Sequence, residues 1–270
     1  MVRHDIVAKL ERAADIIRPL SRVVVAYSGG VDSALVLEIA HRTIADGCIG
    51  VIADSASLPR REKEDALALA RERGIEVRVL LTQEVTIPAY ARNQPDRCYF
   101  CKTELYQRLG ALARELGAAI LDGFNHDDRA DWRPGRRAAV EQGVISPLDM
   151  AGLGKDEVRE AARELGLRNW DKPAAACLSS RIPYGVPITV AGLSRIESAE
   201  ALVKAEGFRQ VRVRDDRIRA TIEVDVQELP RLLEPARRAR IEQKLAELGY
   251  AGVAIDEQGY RRGMLNLRGA

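Results

Sequence analysis

Four short apolar runs, at residues 23–26, 49–53, 77–80 and 119–121, punctuate the first half of the chain, and segments with helical spacing fill the gaps (34–44, 60–73 and 103–116). Buried strands alternating with helices make a βαβ series. That connectivity allows few folds other than a parallel, doubly wound α/β sheet, whose ligands bind beyond the carboxyl ends of the strands. The pattern changes after about residue 167, passing through a proline-bracketed loop at 172–187. A helix is expected over 190–206. Val211, Val213, Ile218, Ala220, Ile222 and Val224 then keep period two across a polar turn, as in a hairpin. A further helix over 229–248 and a short strand over 252–255 complete a smaller α+β domain. At 270 residues, 46% of them hydrophobic, the chain can bury two modest cores. We place an α/β domain at 1–170 and an α+β domain at 171–270.

The first predicted strand runs directly into Ala26-Tyr27-Ser28-Gly29-Gly30-Val31-Asp32-Ser33, and a helix follows. Glycines let a backbone approach a phosphate, hydroxyls and amides donate hydrogen bonds to it, and a helix N-terminus adds a favourable dipole. The turn reads as an anion cradle. No GxxxxGK[ST] occurs, which disfavours chemistry of the Walker type at a terminal phosphate.

Four cysteines in a chain of this length do not form a disulfide framework. Cys98 and Cys101, in DRCYFCK, stand at i and i+3 near a helix start and share a face. Cys177 lies in the loop that joins the two domains, and Cys48 heads an apolar strand and reads as core. A structural zinc site wants four ligands, whereas three thiolates suit an iron–sulfur cluster with one open iron; CxxC alone is compatible with either, and with an inert helix start.

SGGVDS is similar to the PP-loop of the ATP pyrophosphatases, which cleave ATP between its α and β phosphates and place AMP on an acceptor oxygen. That resemblance implies ATP and Mg2+ as cofactors. It implies that Ser28, Gly29, Gly30 and Ser33 hold pyrophosphate, that Ala26 also contacts ATP, that Asp32 helps place magnesium, and that Asp54 and Ser55 lie near the adenosine. Asp122, Gly123, Asn125, Asp127 and Asp128 form the segment expected near nucleotide and metal, with Gly123 and Asn125 on ATP and Asp128 on Mg2+.

DSASLPRRE, DRCYFCK, DGFNHDDRADWRPGRRAA, SPLDMAGLGKDEVRE, WDKPAAACLSSRIPYG and the closing GYRRGMLN resemble the LarE family over nearly the whole chain. The resemblance implies an ATP-dependent sulfur transferase. Its reaction would convert the carboxylates of pyridinium-3,5-biscarboxylic acid mononucleotide to thiocarboxylates on the way to the nickel pincer cofactor of lactate racemase. Some members sacrifice the sulfur of the ACLSSR-type cysteine. Others carry the DRCYFCK pair as well and hold a 4Fe-4S cluster through three cysteines, which here are Cys98, Cys101 and Cys177. It also implies a homo-oligomer, with a hexamer as one form.

A carboxylate is a poor electrophile until adenylation removes its charge and supplies a leaving group, after which a thiolate or sulfide can attack. Cationic Arg181, with Ser180, is expected beside Cys177 to keep its sulfur deprotonated. The substrate's ribose phosphate needs a second anion site. In RVRDDRIRATIEVD, alternation buries Val211 and Val213 and turns Arg212 and Arg214 to the opposite face, which makes them the expected phosphate ligands. Glu200 and Glu223 are candidate ligands for a divalent cation.

A tRNA thiolase would also join a PP-loop to cysteines, but a net charge of +2, with no basic tail or aromatic RNA platform, argues against a nucleic-acid partner. A non-catalytic nucleotide-binding module leaves the cysteines unexplained. No apolar run approaches the roughly 20 residues that span a bilayer, so neither a membrane partner nor export is expected, and the cytoplasm is the expected location.

Overall fold

The computed structural model describes residues 4–173 and 176–261. Ala174 and Ala175 of the WDKPAAACLSSRIPYG run and residues 262–266 of GYRRGMLN therefore lie outside the described residues. The chain forms two compact units, Met1–Gln83 with Cys98–Ala175, and Glu84–Arg97 with Ala176–Ala270.

In the first unit α1 (His4–Ile17), β1 (Val23–Ala26), α2 (Val31–Ile44), β2 (Cys48–Asp54), α3 (Arg60–Glu72) and β3 (Val77–Leu81) follow in order. The short α4 (Pro88–Ala91) belongs to the second unit; α5 (Arg97–Leu116) and β4 (Ala119–Leu121) return to the first, and α6 (Gly135–Glu141), α7 (Pro147–Met150) and α8 (Lys155–Glu164) complete it. The strands form one parallel sheet in the order β3-β2-β1-β4. Order reverses beside β1, so the turn after it opens at a switch point, where doubly wound sheets bind ligands. The central strand β1 and its neighbour β4 are covered and wholly apolar, whereas the edge strand β3 carries Arg78 and exposes Val79 and Leu81. Val23 and Val25 pack with Leu35, Ile39, Leu148 and Val158 on one side, while Val24 packs with Tyr106, Leu109 and Ala113 of α5 on the other. Cys48 is buried at the head of β2, as its apolar context indicated.

The second unit carries α9 (Val190–Ala205), β5 (Val211–Asp215), β6 (Arg219–Val224), α10 (Leu229–Leu232), α11 (Pro235–Glu247) and β7 (Gly252–Ile255). β5 and β6 pair antiparallel and β6 and β7 pair parallel, giving a mixed three-stranded sheet. Its core joins Val211, Val213, Ala220, Ile222 and Val224 to Val203, Phe208, Leu232, Ile241 and Leu245. Ile218 departs from the expected alternation: it is 68% exposed, because it sits in the turn before β6 begins, where Asp216 accepts the Ile218 and Arg219 amides at 3.0 and 2.6 Å. The helix expected over 229–248 is broken before Pro235, which occupies the first turn of α11, where its missing N–H costs nothing.

Residues 84–97 group with this second unit through Asn93. Its buried side chain donates to the carbonyls of Ile182, Pro183 and Val186, and its own carbonyl accepts the Gly185 amide. Asn93 adopts φ 55°, a left-handed conformation that asparagine tolerates better than most residues.

Candidate active site

The turn from β1 into α2 has the form its sequence suggested. The Ser33 hydroxyl donates to the Gly30 carbonyl at 3.1 Å and accepts the Ser28 amide at 3.1 Å, and the Ser28 and Ser33 hydroxyls lie 3.1 Å apart. Gly29 takes φ 73°, and a Cβ built there would stand 2.5 Å from the Ala66 Cβ of α3. A Cβ on Gly123 would come within 2.6 Å of the Ser33 amide nitrogen. Both glycines are therefore required by close approach. Gly30 caps α2 without any side-chain hydrogen bond, so the helix opens on amides that a ligand can take.

Asp32 points into a polar cluster. Asn125 Nδ2 donates to its Oδ1 at 2.9 Å, and Lys155 Nζ, at the start of α8, forms a short ion pair with its Oδ2. Asn125 also caps the 3-10 turn His126–Ala130, accepting the amides of Asp127 and Asp128 at 3.1 and 3.2 Å. Asp128 is buried and paired with Arg133 at 2.5 Å. Burial, opposed by Arg133 and reinforced by the charge of Asp32, holds its carboxyl above the usual carboxylate range. Asp122 accepts from Ser146 at 2.6 Å and from Tyr106 at 3.2 Å, and Asp127 accepts the Lys155 amide at 2.7 Å. At the end of β2, Asp54 pairs with Lys63 at 2.8 Å, and the Ser55 hydroxyl lies 2.9 Å from that of Ser57. Ala26, Ser28, Gly29, Gly30, Asp32, Ser33, Gly123, Asn125 and Asp128 thus gather at the carboxyl edge of one sheet.

Sequence reasoning gave no role to Lys155, to the arginines of the following segment, or to Asn169. Arg129 pairs with Asp149 at 2.5 Å, and the Arg136 guanidinium stacks over the Phe124 ring at 4.2 Å. With Arg133 they line an open recess beside Asp128. The arginine run in DDRADWRPGRR was the available signal.

Among the cysteines, Cys98 is exposed in the first turn of α5 and Cys101 is half-buried one turn later. Cys177, in the second unit, is half-buried and precedes the 3-10 turn Leu178–Arg181. Arg181 is buried, with its Nε donating to Glu200 at 2.7 Å and its Nη1 donating to the carbonyls of Ala176 and Cys177 and to the Ser180 hydroxyl. The guanidinium is neutralised by Glu200 and braces the backbone of the cysteine turn. Ser180 donates to the Cys177 carbonyl at 2.8 Å, and the Tyr90 and Ser179 hydroxyls lie 2.6 Å apart.

The arginine face of the hairpin is covered rather than solvated. Arg212 is 9% exposed and stacks over Tyr260 at 5.3 Å, while Arg214 forks onto Glu223 at 2.8 and 3.0 Å and donates to the Ser180 carbonyl at 2.7 Å. Glu200 also accepts the Val213 amide at 3.2 Å, closing the outer edge of β5. Glu200 and Glu223, expected as cation ligands, are thus each accounted for by an arginine. Within each unit, among the described residues, no three His, Cys, Asp or Glu side chains form a group suited to a metal ion. None of the described helices is long and apolar enough to cross a membrane.

The NAD synthase family profile matches residues 7–109, the span that carries the β1–α2 turn. A protein of Synechocystis sp. named only as uncharacterized protein slr1717 is 41% identical over 96% of this chain and 97% of its own length. The pyridinium-3,5-bisthiocarboxylic acid mononucleotide synthase of Lactiplantibacillus plantarum is 36% identical over 93% of this chain and 91% of its own. A component of the glutamine-hydrolyzing GMP synthase of Archaeoglobus fulgidus is 27% identical over 68% of this chain and 62% of its own.

Proposed function

Because the chain belongs to the LarE family of ATP-dependent PP-loop enzymes, we propose that it adenylates the carboxylates of pyridinium-3,5-biscarboxylic acid mononucleotide and replaces an oxygen of each with sulfur. The observation that carries this reading is the SGGVDS turn, whose uncapped helix start and paired serine hydroxyls suit the phosphates of ATP. Residues 1–170 then bind and cleave ATP, and residues 171–270 serve the mononucleotide and the sulfur. Ser28, Gly29, Gly30 and Ser33 take the departing pyrophosphate, Asp54 and Ser55 lie toward the adenosine, and Gly123 and Asn125 close the cradle. Asp32 and Asp128 are the carboxylates that would hold Mg2+, each now satisfied by a cation of the protein, Lys155 or Arg133. Arg212 and Arg214 remain our assignment for the substrate phosphate, with Glu223 holding the Arg214 fork in plane.

Cys98, Cys101 and Cys177 fit an iron–sulfur cluster by donor chemistry: three thiols, two of them one helical turn apart at a helix start that favours thiolate. When bound, a 4Fe-4S cluster would supply an open iron for the sulfide to be transferred. The protein's own part is to present Cys177 on a turn braced by Arg181, Ser180 and Tyr90.

Pyrophosphate release tests the proposal. The wild-type chain should release it from ATP when the biscarboxylic mononucleotide is present, and Asp32→Ala and Ser33→Ala should reduce the rate at least 100-fold, as expected when charge-stabilising groups at a reacting phosphate are removed. Undiminished release by Asp32→Ala would remove the loop from the mechanism.

A further inference from the structure

Asn169 follows α8 in a turn spanning residues 167–172, and 140 residues separate it from the loop it touches. Its Nδ2 donates to the Gly29 carbonyl at 3.1 Å. The side chain is buried, and its Oδ1 has no hydrogen-bond partner. An amide with half its capacity unspent is a cost in an interior, so this position gains nothing structural from being asparagine except the one bond to Gly29. The turn is itself held firmly. Arg159 donates to the carbonyls of Trp170 and Lys172 at 2.8 Å each, Arg168 donates to the Asp65 carbonyl of α3 at 3.2 Å, and Lys172 pairs with Glu62 of α3 at 2.6 Å.

The Gly29 carbonyl and the Gly30 N–H belong to one planar trans peptide, so they point in opposite directions. Fixing the carbonyl on Asn169 fixes the amide on the other side, where it approaches the Ser28 hydroxyl at 3.4 Å within the cradle. Glycine on both sides of that peptide makes rotation about it easy. A flipped peptide would turn a carbonyl oxygen, negative end first, toward the phosphate.

We propose that Asn169 is a positioning residue of the PP-loop: it locks the Gly29–Gly30 peptide with its N–H toward the pyrophosphate moiety of the nucleotide, and so sets affinity for polyphosphate without touching it. This rests on the reading of the loop as the pyrophosphate cradle. The test is calorimetric binding of inorganic pyrophosphate, ATP and adenosine to the full chain, wild type, Asn169→Leu and Asn169→Asp. Leucine keeps the branched heavy-atom skeleton and removes the donor; aspartate keeps the shape and sets a second acceptor against the Gly29 carbonyl. Asn169→Leu should weaken pyrophosphate and ATP about threefold to tenfold, the effect of one lost hydrogen bond, and Asn169→Asp should weaken them more. Adenosine affinity should stay within about twofold in both, since adenosine carries no phosphate for the loop amides to bind. Unchanged pyrophosphate affinity in both variants, or equal losses for adenosine and pyrophosphate, overturns the lock while leaving the cradle in place. Failure of the wild type to bind either pyrophosphate or ATP overturns the cradle and the lock together.

Discussion

The four thiols show how far a residue's setting decides its chemistry. Burial pushes the Cys48 thiol up to about 12, and its sulfur lies near the Leu37 carbonyl within the core. Cys98 is exposed and Cys101 and Cys177 are half-buried. Native protein treated with iodoacetamide near pH 8 should therefore be carboxamidomethylated at Cys98, Cys101 and Cys177, and Cys48 should react only after unfolding; peptide mass mapping reads the difference. Modification of Cys48 at the rate of Cys98 would contradict its placement. The same scale shows what a sequence exposes of a site. SGGVDS was legible because its hydrogen bonds close within five residues of one another, as between Ser28 and Ser33. Lys155 and Asn169 were not, because they reach the loop from 123 and 140 residues away, and no local pattern encodes such pairings. Alternation along the hairpin told which face Arg212, Arg214 and Glu223 share, but not that Arg214 forks onto Glu223 or that Arg212 is buried against Tyr260.

At the level of elements, helices of the first unit are tied by one buried carboxylate. Glu38 on α2 is 2% exposed and accepts from Arg42 at 2.6 Å and from Arg73, just beyond α3, at 2.5 and 3.0 Å; Arg73 also donates to the Leu165 carbonyl after α8 at 3.3 Å. Burial alone would raise the Glu38 pKa, but the hydrogen bonds and charges of Arg73 and Arg42 outweigh it and hold the carboxyl below its ordinary value. A carboxyl with a lowered folded pKa contributes stability above its unfolded pKa and loses it as pH falls through the folded one. Glu38→Gln should thus cost about 1.5–3 kcal/mol at neutral pH, the range for hydrogen bonds to charged groups. The gap from wild type should close in acid, below the usual carboxylate range. Urea denaturation at neutral and acid pH measures both, and a gap that stayed constant with pH would show that the charge is not what stabilises. Elements themselves were easy to find where burial on both faces made the strands continuously apolar: β1 and β4 fall where the sequence placed them. α1 and α8 received no assignment although both are amphipathic, since short segments rich in charge give weak apolar runs. Ile218 was misassigned because a turn residue can continue a period-two pattern without belonging to a strand.

For the whole molecule the open question is where the transferred sulfur comes from, because the chain supports two stoichiometries. Three thiols on accessible segments suit a cluster that receives sulfide repeatedly, whereas a single Cys177 could give up its own sulfur once. Replacing both Cys98 and Cys101 with alanine separates them. Neither residue belongs to the ATP cradle, and Cys98 is exposed, so the double variant should fold and release pyrophosphate on its first turnover. If the chain works through bound iron and sulfide, the variant loses iron from anaerobically reconstituted protein and loses multiple turnover with added sulfide. If Cys177 is consumed, wild type and variant alike stop at one sulfur per chain, and intact mass falls by one hydrogen sulfide as Cys177 becomes dehydroalanine. We expect the first outcome: a sacrificial route has no use for two further thiols at i and i+3 on one helix face. Dehydroalanine at Cys177 in reconstituted, sulfide-fed wild type would decide for the second.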